Sequence, residues 1–346
     1  MAKKEKESLD YGAELRKLKS EGPERLYLLY GEEDYLRESY LDTLKELCLS
    51  GGEADFNYKR LNGAGLDLGE LAQAVDAVPF FAERTLVEVR DYDINRCKEA
   101  DLERLKGVLG DLPDYGTLVF VLPAGYELDG RLAAVKTLKK LGYVLEFTAQ
   151  GQVALMGWLN KRFAVHGKSI ARADAEYLLF HAGTLMNRLI PEIEKLAAGV
   201  KGDVITRRDI DRLVQRLPEA SVFEMTEFLG LGRFDAAARL LGELLATREE
   251  PIKILALIGM QMRRIYAVKL CQAENRSRSE MMELSGLRYD FQLQKIQQSA
   301  KQYSLAQLKE SLELCAAYDY KMKSSGADNG ELLKELFSRL AAGVTC

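Results

Sequence analysis

The first 150 residues alternate apolar segments of strand length with segments of helical periodicity, and this alternation limits the folds open to the chain. Strands joined through helices favour right-handed crossovers and a mainly parallel sheet with helices on both faces. The predicted strands are Leu26–Tyr30, Phe56–Leu61, Thr85–Arg90, Thr117–Leu122 and Tyr143–Phe147. The predicted helices between them are Tyr35–Leu49, Leu66–Val78, Lys98–Leu109 and Arg131–Leu141. The N-terminal part is therefore expected to be an α/β domain.

From Gln150 to the end of the chain no convincing strand appears, whereas helical periodicity and capping residues are frequent. Thr206 is a predicted helix N-cap, and Pro251 suits the first turn of the long apolar helix that follows it. A second boundary is predicted at Pro218, before a larger helical bundle. We therefore predict three domains: an α/β domain over 1–150, a small helical domain over 151–217 and a larger all-helical domain over 218–346.

The bulk composition excludes several classes of function. Of the 346 residues 47% are apolar and 29% charged, and no apolar run is longer than a strand, so no membrane span is predicted. The charged residues 1–8 lack the apolar centre of a signal peptide, so we expect a cytoplasmic protein. The 5 cysteines are scattered and the 2 histidines have no partner at ligand spacing, so no metal site or Cys/His nucleophile is expected.

The net charge of −4 means that any contact with DNA must come from a local basic patch or from partner subunits. A solvated helix face and a phosphate-binding face have the same sequence pattern, and we interpret the basic pairs as solvated faces. These pairs are Lys161-Arg162, Arg207-Arg208 and Arg263-Arg264.

The first predicted strand leads into a loop with the outline of a phosphate-binding loop but without its chemistry. Phosphate loops need several glycines that turn backbone N–H groups inward, a Lys for the phosphates and a Ser or Thr for magnesium. Here Gly31 is followed by Glu32, Glu33 and Asp34 before the helix. Three carboxylates at a helix N-terminus suit the helix dipole and would repel a phosphate. We interpret these four residues as a degenerate nucleotide loop and expect no cofactor.

The ends of later strands also lack the groups of a nucleotide-hydrolysing site. Asp91 and Asp93 follow the third strand without the adjacent Glu that would orient an attacking water, so we interpret both as loop or cap residues. The next strand ends at Leu122-Pro123, which offers no polar side chain to sense a γ-phosphate. The residues thus favour a nucleotide-binding scaffold whose site has been lost.

A second notable segment, Val78-Pro79-Phe80-Phe81, places two neighbouring aromatic residues before the third strand. Two adjacent side chains in an extended or turn segment cannot both point into one core, so at least one Phe is expected to point outward. Alternatively, both rings pack under the end of the preceding helix as loop anchors, and the residues alone leave both alternatives open. In the functional alternative the segment is a hydrophobic plug for a pocket on a partner protein.

Several further segments, in their order and spacing, carry a resemblance that extends over nearly the whole chain. They are Tyr27–Glu33, Pro79–Val87, Leu112–Phe120, Glu192–Leu196, Pro251 with its Leu-rich surroundings, and Tyr318–Lys323. The chain resembles the delta subunit of the bacterial DNA polymerase III clamp loader. The resemblance implies a multidomain α/β plus all-α protein, with a RecA-like, AAA+-type parallel sheet whose nucleotide site is degenerate, a helical lid domain and a C-terminal helical collar that assembles with other subunits.

The resemblance also implies a function without catalysis by this chain. A delta subunit grips the sliding clamp through a hydrophobic pair beside the sheet and helps to open it for loading on primed DNA. The matching positions are Phe80 and Phe81, with Pro79 shaping the approach and Val78 as a supporting contact. The implied partners are the sliding clamp, ATPase-type and delta-prime-type subunits in a hetero-oligomer, and primer–template DNA. The whole assembly is a DNA-directed DNA polymerase, a nucleotidyltransferase, in which partner subunits hydrolyse ATP.

Two alternatives remain open from the sequence. The first is an AAA+-fold ATPase that uses an atypical phosphate loop, which binding of ATP and magnesium would reveal. The second is a stand-alone DNA-binding protein, which salt-dependent binding to duplex DNA would reveal and which the acidic balance of the chain disfavours.

Overall fold

The structure is a computed structural model that describes residues 9–50, 54–246 and 249–345. The expected absence of a signal peptide concerns residues 1–8, which lie outside the described residues, as does Cys346. Among the residues that the structure describes, no helix is both long and apolar enough to cross a membrane.

The chain forms two compact units. One unit extends to Arg172 and includes Gly183–Thr206, and the other comprises Ala173–Ala182 together with the chain from Arg207 onward. These units do not test the division into domains over 1–150, 151–217 and 218–346, which stays a prediction.

The first unit is built on a five-stranded parallel sheet in the order β2-β3-β4-β1-β5. The strands are β1 (Leu26–Gly31), β2 (Tyr58–Asn62), β3 (Thr85–Arg90), β4 (Gly116–Ala124) and β5 (Tyr143–Phe147). Because β1 pairs with both β4 and β5, its last residue, Gly31, lies beside Ala124 on one side and Phe147 on the other. The predicted parallel sheet of five strands is confirmed.

Eight α-helices of this unit surround or follow the sheet within the described residues. They are α1 (Tyr11–Glu21), α2 (Asp34–Cys48), α3 (Ala54–Asn57), α4 (Leu68–Val75), α5 (Glu99–Gly110), α6 (Ala133–Leu141), α7 (Gln152–Val165) and α9 (Met186–Gly199). A single turn of 3-10 helix covers Ile94–Arg96.

The sheet is covered on both faces, as the continuous apolar runs of β1 and β4 predict. On one face Leu28 of β1 and Phe120 of β4 belong to a core that α4, α5 and α6 complete. On the other face the ring of Tyr27 lies 6.2 Å from that of Tyr40 on α2. Alternate residues of one strand therefore face opposite cores, which fixes the strand register and the position of the loops that follow.

Several sequence-based expectations for this unit were wrong in detail. Phe56 does not begin a strand, because residues 54–57 form the short helix α3 and β2 starts at Tyr58. The helix predicted to reach Val78 ends at Val75, since the following residues form an irregular segment. Helix α1 was not predicted.

The expectation of no strand after residue 150 was also wrong. Two-residue strands β6 (Ser169–Ile170) and β7 (Val204–Ile205) pair in parallel. Each strand is too short to leave a periodic pattern, and its pairing partner lies more than thirty residues away, so only the tertiary fold reveals it.

The second unit is all-helical within its described residues. Its helices are α8 (Arg172–Ala182), α10 (Arg207–Leu213), α11 (Pro218–Gly230), α12 (Phe234–Ala246), α13 (Pro251–Ala273), α14 (Arg278–Ser285), α15 (Asp290–Ala300), α16 (Leu305–Ser324) and α17 (Asn329–Thr345). The predicted starts hold, since α10 begins directly after Thr206 and Pro251 occupies the first turn of α13. Helix α13 is the central element and packs against α11, α14, α15, α16 and α17.

Candidate functional site

Gly31 ends β1, and the approach of β5 explains why the loop keeps this glycine. Its φ angle is +128°, in the region that favours glycine, and a Cβ here would lie 2.2 Å from the carbonyl oxygen of Phe147. The same carbonyl accepts a hydrogen bond from the backbone N–H of Glu33 at 2.9 Å. Close packing of the loop against β5 therefore accounts for Gly31 without a phosphate.

The carboxylate of Glu33 is fully buried, at 0% exposure, and accepts a hydrogen bond from the backbone N–H of Met186 at 3.2 Å. Met186 is the first residue of α9, and the first amides of a helix have no partner within the helix. Burial raises the pKa of Glu33 to about 7, although hydrogen bonds from the backbones of Met186 and Tyr35 act in the opposite direction. Glu33 thus serves as a cap for a distant helix.

The two other acids of the loop also have partners within the chain. Asp34 forms an ion pair with Arg37, whose guanidinium also donates to the carbonyl of Gly31 at 3.3 Å. Glu32 accepts a hydrogen bond from the backbone N–H of Ala149 at 3.1 Å. Because a phosphate needs hydrogen-bond donors and this loop offers carboxylates and a carbonyl, the arrangement favours the degenerate interpretation.

The ends of the neighbouring strands carry no metal-binding group of ligands. Asp91 adopts a left-handed turn conformation at a φ of +60°, and Asp93 accepts a hydrogen bond from the hydroxyl of Tyr126 at 2.7 Å. Across the described parts of the chain, no three His, Cys, Asp or Glu side chains are grouped as metal ligands would be. Asp91 and Asp93 are loop residues, as predicted.

The plug segment, Val78–Phe81, lies in the irregular chain between α4 and β3. Phe80 is 51% exposed, Phe81 is 81% exposed and Val78 is 75% exposed, while Pro79 is half-buried. Both aromatic rings therefore face outward, and the alternative in which both anchor the loop does not hold. Contiguous exposed apolar side chains of this kind are typical of protein-binding surfaces.

An unusual backbone conformation allows neighbouring rings to point the same way. Phe81 has a φ of +50°, in the left-handed region that residues with a Cβ seldom adopt. The turn at Phe81 brings its ring edge-to-face against that of Phe80, with the ring centroids 4.5 Å apart.

Two neighbouring residues support the plug segment, and sequence reasoning missed both. The ring of Phe56 is 65% exposed and lies 5.3 Å from the ring of Phe80, so three exposed aromatic rings are contiguous. Asn57 is 2% exposed and makes two hydrogen bonds with the backbone of Phe80. Assigning Phe56 and Asn57 to a strand hid their role. The signal available was an apolar residue followed by Asn, a residue that favours helix ends and turns.

A buried ionic network on β3 fixes the strand that follows Asn57. The fully buried carboxylate of Glu88 accepts hydrogen bonds from the hydroxyl of Tyr58 at 2.6 Å and from Lys45 at 2.7 Å, and it pairs with Arg90. Burial alone would raise the pKa of Glu88, but these hydrogen bonds hold it below its ordinary value. The network ties β2 to β3 and α2 directly beside the residue that holds the plug segment.

Comparison with known proteins agrees with this architecture. A family model described as "DNA polymerase III, delta subunit" matches residues 27–148, and one described as "DNA polymerase III delta subunit, C-terminal domain" matches residues 219–340. The DNA polymerase III subunit delta of Bacillus subtilis (strain 168) is 29% identical over 325 residues, which cover 90% of this chain and 91% of the relative. The probable DNA polymerase III subunit delta of Aquifex aeolicus is 25% identical over 332 residues, 93% of each chain.

Among solved structures, the Bacillus subtilis DNA clamp loader delta protein shares the fold, with a TM-score of 0.50 and 24% identity over 96% of this chain and 99% of that one. The two family models together span most of the chain, and the Bacillus subtilis relative aligns over 90% of it. The chain belongs to the family of DNA polymerase III delta subunits.

Proposed function

We propose that this delta subunit binds the sliding clamp of its organism through the plug segment and helps to open the clamp for loading on primed DNA. The observation that carries the proposal is the outward position of both Phe80 and Phe81 on one irregular segment. Aromatic residues, Phe among them, are enriched at the cores of protein interfaces, and contiguous exposed apolar side chains mark interaction surfaces. Phe80 and Phe81 enter the partner pocket, Pro79 shapes the approach, and Val78 makes a supporting contact.

The chain acts by differential binding and performs no chemistry. A subunit that binds the opened clamp more tightly than the closed one shifts the equilibrium of the ring toward the open form by that difference in affinity. The three acids of the degenerate loop are partnered within the chain, which supports a role without a nucleotide. ATP hydrolysis then belongs to the ATPase-type subunits, which assemble with this chain and a delta-prime-type subunit on primer–template DNA.

Each predicted domain has its own role in the proposed function. Residues 1–150 carry the clamp-binding segment, 151–217 form the lid domain, and 218–346 form the collar through which the subunits assemble. The long, well-packed helices of the second unit support a role in oligomerisation, since helical bundles offer extended faces for neighbouring subunits.

Clamp binding is tested by mixing the purified chain with the sliding clamp of the same organism and measuring association by size exclusion. The double variant Phe80→Ala, Phe81→Ala is expected to weaken binding at least about 100-fold while its circular dichroism stays unchanged. A matched control, Val153→Ala with Val165→Ala, removes two exposed apolar side chains from α7 and is expected to bind normally. Undiminished clamp binding by the Phe double variant would refute the proposed site.

The alternative of an atypical ATPase is tested separately by titrating the chain with ATP and magnesium in a calorimeter. We expect no binding heat, because a phosphate would have to displace or approach carboxylates that already accept hydrogen bonds. Stoichiometric binding that Glu32→Ala or Glu33→Ala alters would restore the ATPase alternative.

A further inference from the structure

Asn57 holds the backbone of Phe80 through both the NH2 and the carbonyl oxygen of its side-chain amide. The Asn57 Nδ2 donates to the carbonyl of Phe80 at 2.8 Å, and the backbone N–H of Phe80 donates to Asn57 Oδ1 at 2.6 Å. The side chain therefore pairs with one residue as a neighbouring strand would. Because Asn57 is 2% exposed and ends α3, its own position is set by packing.

The plug segment has little else to fix its backbone. Residues 77–84 have no regular secondary structure, and within the described chain their N–H groups donate no hydrogen bond to a backbone carbonyl. The hydroxyl of Tyr115 donates to the carbonyl of Asp76 at 3.2 Å, but this bond holds the chain only at a residue before the plug segment. The pair of bonds from Asn57 is thus the hydrogen-bonded anchor at the centre of the segment.

The anchor lies directly before the strained residue. Phe81 occupies the left-handed region at a φ of +50°, a conformation that costs a residue with a Cβ free energy and persists only when its surroundings hold it. Releasing Phe80 would allow Phe81 to relax, and the two rings would no longer project together. A surface that is ordered before binding loses less conformational entropy on association than one that must order during it.

We propose that Asn57 is a positioning residue of the plug segment. Asn57 orders Phe80 and Phe81 before the clamp is bound. The inference rests on the proposed function, since it assigns Asn57 a role in the same site. Asn57 acts through the backbone of Phe80 and does not itself contact the clamp.

The test measures clamp binding by surface plasmon resonance and amide hydrogen exchange of peptides that span residues 76–84. Asn57→Ala is expected to weaken clamp binding about 10-fold and to speed the exchange of the Phe80 amide. Asn57→Asp keeps the acceptor for the Phe80 N–H but sets a buried carboxylate oxygen against the Phe80 carbonyl, so it is expected to weaken clamp binding at least as much as Asn57→Ala.

A matched control comes from a second asparagine that holds a loop in the same way. Asn95 donates to the carbonyl of Glu127 at 2.8 Å and accepts from the N–H of Asp129 at 3.1 Å. Asn95→Ala removes an equivalent pair of bonds from a loop outside the plug segment and is expected to leave clamp binding unchanged. In a Phe80→Ala, Phe81→Ala background, Asn57→Ala is expected to have at most about a third of its effect on affinity, because both rings that it positions are absent.

The outcomes separate the inference from the proposed function. Normal clamp binding by wild type and by both Asn57 variants, with faster exchange at Phe80, would overturn the inference alone. An equal loss of affinity in the wild-type and Phe80→Ala, Phe81→Ala backgrounds would also overturn it, because Asn57 would then act independently of both rings. Failure of the wild-type chain to bind the clamp would overturn the proposed function and the inference with it.

Discussion

The buried carboxylate of Glu33 accepts a hydrogen bond from the backbone N–H of Met186, which lies 153 positions later in the chain. The distance from the Met186 nitrogen to Glu33 Oε2 is 3.2 Å. An acidic residue at the position where a nucleotide loop meets its helix therefore caps α9. The interaction gives the loop a structural role within this unit, and its burial makes the unit sensitive to pH.

Glu33→Gln is expected to change the pH dependence of stability. Because burial raises the pKa of Glu33 to about 7, its contribution to stability is present below the ordinary pKa of 4.5 and is lost as the pH rises through about 7. Between pH 4.5 and pH 8 the difference in free energy of unfolding between Glu33→Gln and wild type should therefore shift in favour of Glu33→Gln by about 3 kcal/mol. Urea unfolding followed by fluorescence measures it, since the single tryptophan, Trp158, contacts Tyr35 in the same unit.

Glu32→Gln serves as the control, because Glu32 is exposed and its replacement should leave the pH profile close to that of wild type. A Glu33→Gln profile parallel to that of wild type would contradict the prediction.

Gly31→Ala is expected to destabilise the first unit by roughly 3 kcal/mol or more. The added Cβ would lie 2.2 Å from the Phe147 carbonyl oxygen, so β5 or the loop would have to move. Gly65→Ala is the matched control, since Gly65 also has a positive φ, +76°, but no atom within 4 Å of an added Cβ. The control should lose only about 1 kcal/mol, and an equal loss in the two variants would show that steric contact with β5 is unimportant.

Glu88→Ala is expected to lower the free energy of unfolding by about 3 kcal/mol, because it leaves Lys45 and Arg90 without their buried partner. The pKa of Glu88 lies below its ordinary value, so this contribution is present above pH 4.5 and is lost as the pH falls through the lowered pKa. Glu103→Ala, which breaks an exposed pair with Lys106, should change stability by less than about 1 kcal/mol. Thermal unfolding at pH 7 compares the two.

Phe56→Ala is expected to weaken clamp binding about 5-fold while leaving the fold intact, a smaller effect than that of either Phe80→Ala or Phe81→Ala. The ring of Phe56 is exposed and supports that of Phe80 from a different element, so its removal shrinks the aromatic surface without unfolding it. Titration of the clamp in solution by calorimetry measures the change. An affinity equal to that of wild type would exclude Phe56 from the binding surface.

Some elements could be predicted with the observed bounds and others could not. Strands β3 and β5 begin and end where their apolar-rich segments predict, although each contains one glutamate, Glu88 in β3 and Glu146 in β5. The start of β2 was wrong, since Phe56 has the apolar character of a strand residue but belongs to a short helix with an exposed ring. Local pattern does not distinguish an apolar side chain packed in a core from one exposed on the surface.

Residue type and local periodicity are sufficient to predict the α/β character of the first 150 residues, the mainly helical character of the rest and the missing phosphate-binding groups after Gly31. The helix that Glu33 caps and the residue that holds Phe80 could be identified only from the folded structure. Both depend on hydrogen bonds between groups far apart in the chain, 153 positions for Glu33 and Met186 and 23 for Asn57 and Phe80. Periodicity records which way a side chain faces along its own element, but the fold alone sets which distant backbone groups come within hydrogen-bonding distance.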